Sequence, residues 1–195
     1  MISIRGLTCT AVVVGLAMVD SHVLYSSARA CPFCSAPQLT MAEMIDQSDH
    51  LLLGEWLQGS RPTSESAGSV DFRIIEVGRS QDDLLEVEQT ITLPFYVSGE
   101  AGERFALMGP GTDYLNWQPP TKITDDSWEY IRNCPTPEKD PERRTKRLAW
   151  FLPYLEHAEL LVSNDAYGEF ASAPYKTIRP LSDQMPREDL RTWVA

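Results

Sequence analysis

Three cysteines could carry chemistry beyond an apolar leader, and two of them stand close together: Cys31-Pro32-Phe33-Cys34, with Cys134 about 100 residues further on. A C-x-x-C pair suits thiol–disulfide exchange, half of a zinc site, or a structural disulfide. Exchange enzymes place the pair after a strand and at the opening of a helix, whose N-terminus lowers the first thiol's pKa. Here no strand pattern precedes it, and Ser35-Ala36-Pro37 delays the first helical pattern. Zinc takes four ligands. Cys134 with His50 or His157 completes that number, but no second pair has finger-like spacing. The expectation is therefore a structural disulfide. One bridge and one free thiol is the simplest arithmetic, with three pairings open. A Cys31–Cys34 bridge closes only a short loop, whereas joining either residue to Cys134 contributes roughly 4 kcal/mol on the chain-entropy model. The long pairing, which staples the N-terminus to a distant part of the chain, is the favoured one.

Other reactive patterns are sparse. The chain has no G-x-S-x-G, no H-E-x-x-H and no P-loop. Asp82-Asp83 and Asp125-Asp126 read as turn or cap residues. Asp165 and Glu169 share a helix face at i and i+4 with no evident cation. His50 beside Leu51 reads as a strand-edge residue, and His157 as a favourable charge at a helix C-terminus. Trp117, Trp128, Trp150, Tyr154, Tyr167 and Tyr175 concentrate in the second half. They could line a carbohydrate or peptide groove, but Phe151 and Leu155 mark the same region as core. No catalytic, cofactor-binding or metal-ligating residue is assigned.

The segment ahead of Cys31 reads as a targeting signal. Arg5 precedes an apolar run from Leu7 to Val19, and Ala28-Arg29-Ala30 supplies the small-x-small site of signal-peptidase cleavage. The run is too short for a membrane span of roughly 20 residues, and no later run is longer, so residues 31–195 are expected to lack a transmembrane segment. A lipid anchor on Cys31 is the second alternative, weakened by Ala28 and Arg29 where a lipoprotein signal carries Leu and a small residue. Secretion or periplasmic delivery follows, in a compartment where disulfides persist. The leader holds Arg5 and Arg29 against Asp20, so removing it takes the formal charge from −11 to −12. Such a chain is a poor partner for nucleic acid, whose phosphates require concentrated Lys and Arg. The one basic cluster, Arg143-Arg144-Thr145-Lys146-Arg147, reads as the solvated start of a helix.

The elements that must position these residues can be read in order. Thr40 and Glu43 form a capping box for a short helix carrying Met41, Met44 and Ile45. His50 to Leu57 is a compact apolar run, a buried strand. Residues 58–69 form a loop rich in Ser, Gly, Thr and Pro. Val70 to Val77, Glu86 to Val97 and Arg104 to Met108 read as strands, the second alternating with period two and bent at Pro94. Ser98 to Gly102 is a turn, which makes residues 86–108 a hairpin. A helix capped by Thr124 runs to Asn133, and the prolines from Pro135 to Pro141 break the chain. Beyond them the pattern is helical: Leu148, Phe151, Leu152 and Leu155 on one stripe, kinked at Pro153, then Leu160 to Ala171, Lys176 to Gln184, and Arg187 to Val194.

Residues 31 to about 110, through Cys31, Cys34, Leu39 to Gly54, Val70 to Val77 and Gly102-Glu103-Arg104-Phe105-Ala106-Leu107-Met108, resemble the netrin-like OB barrel shared with tissue inhibitors of metalloproteinases. Residues 142–195, through Arg147 to His157 and Asn164 to Phe170, resemble HEAT-like helical repeats. The pair is similar to exported bacterial proteins of unknown activity that join such a barrel to helices. The resemblance implies an α+β fold: a small antiparallel OB-like β-barrel followed by an α-helical HEAT-like segment. The implied organisation is a signal peptide at 1–30, a barrel domain at 31–110, a connecting segment at 111–141 and the helical segment at 142–195. The function it implies is non-catalytic protein-interaction or cell-envelope work, with no partner identified and the N-terminus tethered by a disulfide. Two alternatives stand beside it: a periplasmic thiol–disulfide exchange enzyme using Cys31 and Cys34, and a metalloprotease-inhibitor-like binder acting through the N-terminal cysteine. The inhibitors carry C-x-C where this chain carries C-x-x-C, and zinc chelation there needs an unmodified terminal amine.

Overall fold

A computed structural model describes residues 39–81, 84–114 and 116–185. Helix α1 (Met41–Asp46) starts as its sequence predicts: Thr40 Oγ1 accepts from the Glu43 N–H, and the Glu43 carboxylate accepts from the Thr40 N–H at 2.9 Å. Five antiparallel strands follow, β1 (His50–Ser60), β2 (Ser69–Arg79), β3 (Thr90–Leu93), β4 (Arg104–Gly109) and β5 (Thr121–Lys122), in the spatial order β3-β2-β1-β4-β5. The sheet is open, with β3 and β5 as its edges.

One expectation is corrected by this topology. Residues 86–108 do not form a hairpin, because β3 pairs with β2 and β4 pairs with β1. The strand expected from Glu86 to Val97 is also shorter. Ile91 and Leu93 point inward and Thr90 and Thr92 outward, as period two requires, but Glu88 has φ of 69°. That left-handed backbone, uncommon for a non-glycine residue, ends the strand before Val87, which is exposed.

Strand β1 is central, and its first half, His50 to Gly54, is buried on both faces. Its pleat sends Leu51 and Leu53 to one side, where they meet Met108 and Ala106 of β4, and Leu52 to the other, opposite Leu107. The second side is filled by Val70, Phe72, Ile74, Ile91, Leu93 and Phe105, closed at one end by Trp117. The first side is covered by helices: α2 (Asp125–Asn133), α3 (Pro141–Phe151) with a 3-10 turn at Leu152–Tyr154, α4 (Leu160–Ser172), and α5 (Tyr175–Ile178) running into a second 3-10 turn at Arg179–Gln184. Ile131, Phe151, Val162 and Leu181 from these helices share one core with Leu51 and Leu53. Full burial of each such side chain is worth about 1.5–3 kcal/mol. Toward Glu55 the same sheet face turns charged, as Glu55 pairs with Arg73 at 2.7 Å and Arg104 pairs with Asp125 at the start of α2.

The helix boundaries follow local signals. Thr124 caps α2, and Asp140 caps α3 ahead of Pro141 at its first position. Pro153 falls in the 3-10 turn that ends α3, and Pro180 in the turn that ends α5. The helix expected over residues 187–194 lies outside the described residues. Among the described residues no helix is long and apolar enough to cross a membrane.

Candidate functional site

Polar groups from four helices converge where the helices meet one another. Asp165 of α4 accepts the backbone N–H of Met41 at 2.7 Å and the hydroxyl of Tyr130 at 2.6 Å. One turn along α4, Glu169 accepts two hydrogen bonds from Arg147 of α3, at 2.6 and 2.8 Å. Arg147 also donates through Nε to the carbonyls of Pro135 and Thr136, just past Cys134. Cys134, at the C-terminus of α2, is buried and has no disulfide partner among the described residues. The cluster thus ties the first amide of α1, the end of α2, the middle of α3 and the centre of α4 to one another.

Its electrostatics follow from burial. Desolvation pushes the Tyr130 hydroxyl far above its ordinary range, helped by the negative charge of Asp165. It raises the Cys134 thiol as well, with Asp165 and Glu169 adding to the effect and Arg147 opposing it. Asp165 is held above the usual carboxylate range by burial, against the lowering pull of Tyr130 and of the Met41 amide. Burial works against the Arg147 charge, but its bonds to Glu169 outweigh that cost, so it stays firmly cationic. A thiol raised in this way is a poor nucleophile. The polar atoms that would bind or activate a substrate are spent on one another, so the arrangement acts as a clasp.

Three residues here differ from their sequence expectation. Glu169 and Asp165 do have a cation nearby, and Arg147 is not a solvated helix-start residue: its side chain is only 12% exposed, and its guanidinium lies 4.9 Å from the Phe151 ring centroid. The signal was present in the spacing, because Arg147 falls one turn before Phe151 on the stripe that also holds Leu148. Arg143 fits the expectation, with a side chain 77% exposed.

The other candidate residues are dispersed. Cys31, Cys34, Asp82 and Asp83 lie outside the described residues. Asp125 and Asp126 occupy the first turn of α2, where acids favour the helix dipole. His157 accepts the Glu159 N–H at a helix entry. His50 is not an edge residue. It is 1% exposed, stacks on Trp117 with centroids 6.0 Å apart, and its Nδ1 lies 3.0 Å from Ser80 Oγ. Its Nε2 has no hydrogen-bond partner among the described residues. Of the aromatic residues, Trp150 and Tyr154 pack on Tyr130 and on each other with centroids 4.8–5.3 Å apart, while Tyr167 and Tyr175 are exposed. Trp117 and Trp128 are buried. Among the described residues, no group of three or more His, Cys, Asp or Glu side chains could hold a metal ion.

Comparison of the chain with known protein families finds no matching family, and comparison with characterised proteins finds no match either.

Proposed function

We propose that this is an exported, non-catalytic interaction protein whose N-terminal segment is tethered by a disulfide to the helical part of the fold. One observation carries the reading: the Met41 N–H is held by Asp165, in the same clasp whose charges act on the buried Cys134 thiol. Cys34 precedes Met41 by seven residues, a stretch that an extended chain covers over up to about 24 Å. The clasp thus holds the backbone seven residues after Cys34 in sequence and also contains the third cysteine. The clasp's polar groups are committed to holding helices together, which fits a binding protein better than a thiol enzyme.

The same reading takes the sheet as an OB-like, netrin-like barrel. The order β3-β2-β1-β4-β5 becomes a closed five-stranded barrel if β3 and β5 approach, and the buried cluster around Phe72 and Leu107 is the core such a barrel would enclose. The helices from α3 onward are taken as a HEAT-like segment, with the signal peptide, barrel, connecting segment and helical segment divided as the sequence suggests. Thiol titration before and after mild reduction, on the wild type and on Cys31→Ser and Cys134→Ser variants, tests the proposal. A tether predicts that Cys134→Ser lowers stability and that no variant or wild type shows disulfide-exchange activity. Exchange activity lost in Cys31→Ser would replace this reading with the thiol enzyme.

A further inference from the structure

We draw no further inference here: the strongest candidate, the small polar cleft on the β1–β2 hairpin lined by Gln58, Gly59, Ser60, Ser69 and Asp71, carries none, because its one carboxylate already accepts hydrogen bonds from Gln58 and Thr92 and nothing in the structure points to a ligand.

Discussion

Replacing Arg147 with Met should be among the most damaging single changes in the helical layer. The guanidinium makes two short bonds to Glu169, and the two side chains are 12% and 5% exposed. Methionine keeps most of the volume but leaves the carboxylate buried and uncompensated, and it strips the Pro135 and Thr136 carbonyls of their donor. Removing one member of a buried pair costs about 3–5 kcal/mol, whereas replacing both with apolar residues of similar size is often neutral or stabilising. Urea unfolding followed by tryptophan fluorescence reads the difference. With m near 2 kcal/mol/M, the midpoint of Arg147→Met should fall by about 2 M with m unchanged, and the double variant Arg147→Met/Glu169→Leu should recover most of that loss. A loss under about 1 kcal/mol, the range of an exposed pair, would refute the clasp. So would a double variant no more stable than the single one.

Further outcomes follow from the same geometry. Asp165 is raised in the folded state, so the native protein binds its proton more readily than the unfolded chain, and stability falls as pH rises from the ordinary Asp value through the raised one. Asp165→Asn should flatten that part of the pH profile of the urea midpoint, and an unchanged slope would mean the carboxylate is not buried as described. Glu159 has the opposite sign: hydroxyls of Ser127 and Thr124 hold its pKa down, so what it adds is lost as pH falls through that lowered value, and Glu159→Gln should lessen acid sensitivity. A Cβ at position 109 would lie 2.3–2.6 Å from the Trp117 indole, so Gly109→Ala should displace that ring, cost about 1–3 kcal/mol and alter the near-ultraviolet circular dichroism. An unaltered spectrum would contradict this packing. With its thiol raised by burial, reduced Cys134 should be alkylated at pH 8 only as fast as the protein opens, and rapid labelling would place it at the surface.

What could be read from the residues alone was what neighbours in sequence decide. The Thr40–Glu43 box and the Thr124 cap act within one turn of chain, and each appears where its pattern places it, whereas Pro153, expected to kink a helix, falls in the 3-10 turn that ends it. The hairpin at residues 86–108 failed because pairing is a long-range choice: β3 and β4 are consecutive in the chain but separated in the sheet by β2 and β1. The period-two pattern at Ile91 and Leu93 identified a strand but could not name its neighbour. The clasp was hidden for a related reason. Arg147, Glu169, Asp165 and Tyr130 lie on three helices, and each alone resembles an ordinary surface residue. His50 was misplaced because an imidazole in an apolar run reads alike at an edge and in a core.

The tether is tested most directly by intact-mass and peptide mass spectrometry of the protein recovered after export. The account predicts a product beginning at Cys31, two mass units lighter than its reduced form, with a digest fragment joining Cys31 or Cys34 to Cys134. A product that keeps residues 1–30 with its cysteines reduced would contradict it.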